Sequence, residues 1–367
     1  MSNDPARHRS SPSTDDSADE SHQELEPLEP DRAVDLYLES RADDASDWTL
    51  TSHESRLRPF LEWCDEEGNV RNMNELTGRD LYEYRVWRRE GHYSGAEVDR
   101  LAVTTLKTAL STLRRFLRFC ANVEAVHPDL YMKVPIPTVS DNEEVSDSKI
   151  VPERVSPILE YLERYHWASR DHLMMLLMWH TGGRISDLRA IDLDDLDLEG
   201  HKPGMSIKNR PETDTRLKNA DGGERYNRLS EEVANIIQDY IDGPRVDKLD
   251  DYGREPLLTT TEGRTSAGTV RQTSYKVTRP CWIGEDCPHG KDPKTCEWNS
   301  YDQASKCPST RSPHDWRKAR VTKYRNDGIQ RGVVSDRLDA SERVLDKHYD
   351  RASEREKADR RWREIQR

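Results

Sequence analysis

The sequence predicts a mainly α-helical protein with a small antiparallel sheet, arranged as two domains. Three observations lead to this prediction. Apolar residues recur at helical spacing through most of the chain, and short strand-like segments occur between residues 205 and 230. Two prolines and a run of serines and acidic residues predict an interdomain linker, which we place at residues 136–150. The 367 residues suffice for two ordinary domains.

The N-terminal part predicts a tail followed by a helical domain. Residues 1–30 carry few apolar side chains and many serine, proline and acidic residues, which is typical of a disordered acidic tail. Residues 31–135 then predict a small all-helical domain. Its clearest helix carries a stripe of apolar residues at helical spacing: Leu106, Leu110, Leu113, Leu117 and Cys120. Three arginines lie away from this stripe and could face solvent or nucleic acid: Arg114, Arg115 and Arg118.

The second domain is predicted to span residues 151–367. Helical patterns around "ERVSPILEYLERYH" and "RDHLMMLLMWHTGG" open it. The segments "MSIKNR", "TRLK" and "ERYNRLS" then predict strands, and "NADGG" between the last two predicts a hairpin turn. A further helix is expected to begin at Ser230, with an apolar side made of Val233, Ile236, Ile237 and Ile241.

The charge of the chain bears on its partners. A net charge of -13, 35% charged residues and a mean hydropathy of -1.00 indicate a heavily hydrated surface. The longest apolar run, residues 173–179, is too short to cross a bilayer, and no signal peptide is evident, so we expect a cytoplasmic protein. The acidic excess argues against a nucleic-acid partner at face value. Because the acidic residues are spread along the chain and arginine dominates the basic ones, we interpret the charge as a halophilic adaptation to concentrated salt.

Three segments of the second domain carry a family resemblance. "HTGGRISDLRAIDLDDL" resembles the first arginine box of the tyrosine recombinases, the phage-integrase and XerC/XerD family, with Arg184 at the arginine position. "SPHDWRKARVT" resembles the H-x-x-R box of that family, with His314 and Arg317 in place. "LDASERVLDKHYDRAS" resembles the segment that ends in the family's tyrosine, here Tyr349. The resemblance covers residues 35 to 353. Taken by itself, Arg184 could instead cap a helix or pair with Asp187.

The resemblance implies a fold and a function. It implies a helical core-binding (SAM-like) domain followed by a tyrosine-recombinase catalytic domain. It also implies a site-specific DNA recombinase or integrase that cuts and rejoins double-stranded DNA through a 3′-phosphotyrosyl intermediate, as a homo-tetramer on synapsed sites. Neither a catalytic metal nor a nucleotide cofactor is then required.

Elementary chemistry explains why such residue types belong together. Cleavage of a phosphodiester by a protein hydroxyl needs a nucleophile, a proton donor for the leaving oxygen and cations that match the phosphate. The resemblance assigns nucleophilic attack to Tyr349. Planar guanidinium groups at Arg184 and Arg317 suit the phosphate, and His314 suits proton transfer.

A lysine completes the family's catalytic set. It lies on a strand hairpin and protonates the leaving group. In this sequence Lys218 fits that description, because it directly precedes the predicted turn, whereas Lys208 is the rival.

One position departs from the family pattern. Ala340 occupies the place of the usual histidine or tryptophan, and Asp339 cannot act as a cation there. Lys318 or Lys347 could supply the missing contact. This departure leaves open a catalytically impaired DNA-binding accessory protein of the same fold. Two further alternatives are a type IB topoisomerase-like enzyme, which would share the tyrosine chemistry, and a zinc-dependent regulator whose cysteine cluster reads DNA.

A cysteine-rich segment at residues 279–312 precedes the His314 box. It contains four of the chain's 6 cysteines: Cys281, Cys287, Cys296 and Cys307. In a cytoplasmic protein such a cluster predicts structural zinc more often than disulfides, with His289 as a possible substitute ligand. The irregular spacing leaves free or redox-active cysteines as the alternative. The segment reads as an insertion that positions the His314 box without taking part in catalysis.

Overall fold

The computed structural model describes residues 25–95, 98–139, 150–346 and 353–366. The chain divides into two compact units, Met1–Val145 and Ser146–Arg367. Most of the predicted tail, residues 1–24, and most of the predicted linker, residues 140–149, lie outside the described residues. None of the helices described is long and apolar enough to cross a membrane.

The first unit is helical, as the sequence predicts. Its helices are α1 (Pro30–Ser40), α2 (Asp47–Glu66), α3 (Gly78–Arg89) and α4 (Val103–Asn122). The Thr77 hydroxyl accepts from the Asp80 amide, and the Asp80 carboxylate accepts from the Thr77 amide, so the two residues cap the start of α3. The predicted apolar stripe of α4 is buried, and each buried leucine contributes about 1.5–3 kcal/mol to stability.

Two of the α4 arginines have contacts within this unit. The Arg114 guanidinium donates to the carbonyl of Val134 at 2.9 Å, and Arg118 stacks over the ring of Tyr131 at 4.8 Å. Both contacts join α4 to the segment that follows it. These two arginines therefore stabilise the unit, which is a role that the helical pattern alone does not reveal.

The second unit is built around one buried helix. Its helices are α5 (Pro152–Tyr165), α6 (Arg170–Thr181), α7 (Ile185–Ala190), α8 (Glu231–Asp242), α9 (Ala267–Val277), α10 (Pro313–Asn326), α11 (Arg331–Leu338), α12 (Glu342–Val344) and α13 (Glu354–Ile365). α6 is apolar on all sides, with Leu173, Met174, Met175, Leu177 and Met178 buried. A helix of this kind must be surrounded by other elements, and α6 packs against α5, α8 and α10.

A small sheet lies in the same unit. β1 (Leu196–Asp197), β2 (Gly204–Ile207) and β3 (Arg225–Arg228) pair antiparallel in the order β1-β2-β3, and β4 (Thr259–Thr260) pairs with β5 (Gly263–Arg264). The prediction of a "TRLK" strand was wrong, because β3 pairs directly with β2. The "TRLK" segment instead belongs to the β2–β3 connection, where the Leu217 amide donates to the Asn209 side chain at 2.9 Å.

A buried set of ion pairs, here called the carboxylate–arginine network, ties this sheet to the surrounding loops. It consists of Asp192, Asp195 and Asp250 with Arg210, Arg254 and Arg264. Arg264 binds Asp192 at 2.5 Å and Asp250 at 2.7 Å. The Asp195 side chain is fully buried and binds Arg210 at 2.7 Å. Each guanidinium in the network therefore contacts at least one carboxylate.

Candidate active site

A pocket of about 380 Å³ in the second unit brings together residues that are far apart in the sequence. Cationic or basic side chains from several elements line it: Arg184, Lys218, Arg271, His314 and Arg317. The lining residues that the structure describes include no aspartate or glutamate. Four of the five residues that the sequence assigns to catalysis thus share one pocket. A concave site with this charge suits an anionic ligand.

Arg184 lies immediately before α7, and its backbone and side chain have different partners. The backbone amide donates to Asp187 Oδ2 at 2.9 Å and so starts the helix. The guanidinium points the other way. Its Nη1 donates to Asp339 Oδ2 and its Nη2 donates to the Asp339 carbonyl, both at 2.7 Å. The alternative in which the Arg184 side chain pairs with Asp187 is wrong, because Asp187 Oδ2 instead accepts from the Arg225 guanidinium at 2.7 Å.

Arg317, on α10, is 99% buried and is fixed by main-chain groups. It donates to the carbonyl oxygens of Gly182 and Leu338, at 2.8 Å in each case. Gly182 ends α6 with a positive φ of 65°, and a Cβ there would lie 2.9 Å from the Leu338 side chain. Glycine is therefore required where α6, α10 and α11 meet, and this junction orients Arg317.

His314 is placed by the first turn of α10. Ser312 and Asp315 form a reciprocal cap, with the Asp315 carboxylate accepting from the Ser312 amide at 2.9 Å. The imidazole is exposed at the pocket surface, yet loss of hydration and the positive charges of Lys318, Arg317 and Lys218 lower the pKa of His314 to about 4. We therefore expect a neutral ring at pH 7, able to donate or accept one proton.

The two candidate lysines lie in different surroundings. Lys218 is exposed and lines the pocket from the β2–β3 connection. Lys208 binds the buried carboxylate of Asp195 at 2.8 Å and so belongs beside the carboxylate–arginine network. The arrangement favours Lys218, which lies in the connection of the antiparallel β2–β3 hairpin, although the predicted "TRLK" strand is absent.

The remaining family segment is described only in part. Tyr349 and Lys347 lie outside the described residues, which stop at Asp346 and resume at Ser353. Ala340 is buried in a small apolar cluster with Val321 and Val334. Its position therefore serves packing and offers no side-chain donor.

Lys318 is a poor substitute for that donor. It is 95% buried and binds Asp315 at 3.1 Å. Arg271, on α9, is the cation that the sequence did not suggest, because its segment matches none of the recognised motifs. Only the spatial proximity of α9 to α7 and α10 reveals it.

The cysteine-rich segment, residues 279–312, is described throughout. Among all described residues, no three or more histidine, cysteine, aspartate or glutamate side chains are grouped so as to hold a metal ion. The zinc site predicted at Cys281, Cys287, Cys296 and Cys307 is therefore not supported. His289, the possible substitute, binds the Ser309 hydroxyl at 2.8 Å.

The two ends of this segment lie side by side. The Arg311 amide donates to the Thr278 hydroxyl at 2.9 Å, and the Ser274 hydroxyl donates to the Arg311 carbonyl at 2.8 Å. Ser274 also accepts from the buried Trp316 indole at 3.0 Å, which joins α9 to α10. The segment thus leaves and re-enters the fold at one place, directly before the His314 turn.

Comparisons of sequence identify relatives. The family description "Phage integrase, N-terminal SAM-like domain" matches residues 35–122. Tyrosine recombinase XerA of Saccharolobus solfataricus is 24% identical over 219 residues, covering 58% of this chain and 64% of that protein. Tyrosine recombinase XerD of Bifidobacterium longum is 24% identical over 164 residues, covering 42% and 47%. The chain thus spans between about half and two thirds of the length of these curated relatives.

Comparisons of structure confirm the predicted fold class. The Tn1549 transposon integrase in complex with transposon right end DNA has a TM-score of 0.59 at 15% identity, covering 92% of this chain and 100% of that chain. A lambda integrase dimer bound to a COC′ core site has a TM-score of 0.58 at 13% identity, covering 89% and 79%. The chain is a homologue of the Xer tyrosine recombinases and carries the N-terminal SAM-like domain of phage integrases.

Proposed function

We propose that this protein is a site-specific DNA recombinase or integrase that cuts and rejoins duplex DNA through a 3′-phosphotyrosyl intermediate at Tyr349. The observation that carries the proposal is the convergence of Arg184, Lys218, His314 and Arg317 on one pocket. Two separate sequence segments and a loop have to fold together to produce it. Such a set of cations and a neutral imidazole matches the needs of phosphoryl transfer to a protein hydroxyl.

The arginines stabilise charge on the phosphate. Arg317 is oriented by two carbonyl oxygens before any substrate arrives, so little reorganisation is needed when the nonbridging oxygens become more negative. Arg184 contributes a second guanidinium to the lining of the pocket. Arg271 adds a cation at a site where Ala340 supplies no donor.

We assign the two proton transfers to His314 and Lys218. The Tyr349 oxygen attacks phosphorus and forms a P–O bond, while neutral His314 accepts the phenolic proton. The bond from phosphorus to the 5′ oxygen breaks, and Lys218 gives that oxygen a proton. Rejoining reverses these steps when a 5′ hydroxyl attacks the phosphotyrosine. No proposed step uses a metal or a nucleotide cofactor.

The proposed partners are double-stranded DNA and further copies of the chain. The relatives of this chain include a Xer recombinase, and the similar Tn1549 and lambda integrase structures contain DNA. Both findings support DNA as the substrate. Strand exchange between two synapsed sites needs four nucleophiles, so we propose a homo-tetramer. Because its substrate would be genomic DNA, the protein would act in the cytoplasm.

Covalent trapping tests the proposal. Nicked duplex DNA from the flanks of the protein's own gene, incubated with the protein at high and low salt, should yield a protein–DNA adduct on a denaturing gel. Tyr349→Phe should bind the DNA but form no adduct, because it lacks the attacking oxygen. Tyr301→Phe is the matched control, because Tyr301 is exposed in the cysteine-rich segment, and it should form the adduct at the wild-type rate.

Other outcomes separate the remaining functions. DNA binding without an adduct from the wild-type protein would contradict the proposal and favour a catalytically impaired accessory protein. An adduct accompanied by relaxation of supercoiled plasmids that lack the recombination site would favour topoisomerase-like activity. An adduct that persists in Tyr349→Phe would exclude Tyr349 as the nucleophile.

A further inference from the structure

Asp339 has an unusual backbone conformation. It follows the last residue of α11 and has a φ of 51°, in the left-handed region. Glycine occupies such helix ends most readily, because a Cβ makes the conformation unfavourable. The Asp339 side chain supplies a compensating interaction at Arg184, one of the residues that line the pocket.

The carboxylate occupies the fork of Arg184. Asp339 Oδ2 accepts from Arg184 Nη1 and the Asp339 carbonyl accepts from Arg184 Nη2, each at 2.7 Å. The two side chains are only 15% and 12% exposed, so water screens the pair weakly. Both terminal nitrogens of the guanidinium are therefore engaged by one residue. The same two nitrogens are the ones that would clamp two oxygens of a phosphate.

The same residue also touches the lysine loop. Asn219, next to Lys218, donates from Nδ2 to Asp339 Oδ1 at 2.7 Å. The carbonyl of Leu338, the preceding residue, accepts from Arg317 at 2.8 Å. Residues 338 and 339 thus contact Arg184 and Arg317, two of the three arginines that line the pocket, and the loop that carries the lysine.

We propose that Asp339 is an internal competitor for the phosphate, which latches Arg184 until DNA enters the pocket. This inference rests on the proposed function, since it assumes that Arg184 receives the scissile phosphate. A phosphodiester and a carboxylate are both anions, and they repel each other at one guanidinium in a weakly screened pocket. Binding of the phosphate therefore requires Asp339 to release Arg184, and the Asn219 contact couples that release to the Lys218 loop.

The latch has a measurable consequence. A ligand that binds only the released state has its apparent affinity reduced by the fraction of molecules in that state. If the latch holds nine tenths of the molecules, removing it tightens phosphate binding about tenfold. A rival role, in which Asp339 merely orients Arg184 for catalysis, makes the opposite prediction. Loss of the carboxylate would then weaken binding.

The test uses two variants and a control. Asp339→Asn keeps the shape of the side chain and removes its charge, whereas Asp339→Gly also suits the positive φ and guards against a folding defect. Asp336→Asn removes one exposed acid from the same helix, so it matches the change in net charge. Isothermal titration with inorganic phosphate at constant ionic strength should show about tenfold tighter binding for both Asp339 variants and no change for Asp336→Asn.

Two further measurements decide the origin of the gain. Arg184→Met introduced into Asp339→Asn should abolish the gain in phosphate affinity, because the released guanidinium is then absent. On the nicked DNA, the Asp339 variants should form the covalent adduct faster than wild type at subsaturating DNA. Unchanged or weaker phosphate binding in both Asp339 variants would overturn the latch. Tighter phosphate binding with no adduct from any protein would instead leave the latch standing and contradict the proposed function.

Discussion

Two groups of arginines in the second unit differ in what they bind. In the carboxylate–arginine network, Arg210, Arg254 and Arg264 all donate to buried aspartates. In the pocket, Arg317 donates to two carbonyl oxygens, and Arg184 donates to a single carboxylate, that of Asp339. A carbonyl oxygen orients a guanidinium without neutralising it. The carbonyl contacts of Arg317 in the pocket therefore do not neutralise its charge, whereas the aspartates of the network neutralise the charges of its arginines.

This difference teaches how an acidic protein can bind an anion. The net charge of -13 describes the whole chain, whereas a ligand responds to the local imbalance around it. Carboxylates are concentrated around the structural arginines and are absent from the described lining of the pocket. The objection that an acidic chain should not bind DNA thus applies to the average surface and not to this site.

The largest expected effect comes from the two lysines, one from each region. Lys218→Met should slow cleavage by about 10²- to 10⁴-fold, because a general acid contributes that much to breaking the bond to the leaving oxygen. Lys208→Met should cleave at the wild-type rate and lose at most about 1 kcal/mol of stability, since the lysine side chain is half exposed and the buried Asp195 keeps its ion pair with Arg210. Adduct formation on nicked DNA measures both rates.

A sulfur substitution sharpens this comparison. DNA with sulfur in place of the leaving 5′ oxygen needs no proton donor, because a thiolate is a better leaving group than an alkoxide. This substrate should restore the rate of Lys218→Met. Failure to restore it would assign Lys218 to phosphate binding, and a slow Lys208→Met would reverse the choice of lysine.

Breaking the network should be the next largest effect. Asp192 contacts Arg210, Arg254 and Arg264 and is almost fully buried. Asp192→Asn should destabilise the second unit by about 3–5 kcal/mol, since it leaves buried arginines without their shared counter-charge. Urea unfolding measures the loss. The exposed neighbour Asp194→Asn is the control and should stay within about 0.5 kcal/mol of wild type. Equal effects of the two variants would mean that the network contributes little.

The smallest effect concerns pH. The pKa of His314 is lowered to about 4, so the ring is neutral across pH 6–8 and the cleavage rate should show no inflection near 6.5 from this residue. The stability that accompanies a lowered histidine pKa is complete above pH 6.5 and is lost as the pH falls toward 4. A rate–pH profile, with imidazole NMR signals followed in parallel, provides the check. An inflection near pH 6.5 that disappears in His314→Gln would show that His314 titrates normally.

Much of the fold follows from local patterns in the sequence. The stripe of α4 and the helix start at Ser230 are short-range features, and the structure confirms both. The strand prediction at "TRLK" failed because strand pairing is not local. β3 has a better partner in β2, and the intervening segment is held by the Asn209 side chain.

The candidate site divides in the same way. The family resemblance was sufficient to choose Arg184, His314 and Arg317, which the structure brings together. Arg271 and the Asp339 latch depend on which elements meet in space, and no pattern in the sequence reports that. The zinc prediction relied on cysteine composition alone, which fixes neither the distance nor the direction of the side chains. The halophilic interpretation of the charge stays a prediction.

The hydrogen bonds at Thr278 and Arg311 also bear on what the cysteine-rich segment can tolerate. Its two ends are fastened to each other, so the intervening chain has only a short gap to span, and Trp282 and Ile283 near its start pack against the core of the second unit. The entropy of closing a loop grows only slowly with its length, so such a position accepts long or short inserts at similar cost. The part of the segment beyond Trp282 and Ile283 is therefore the natural place for inserts of different length, or for grafting a label or a binding domain.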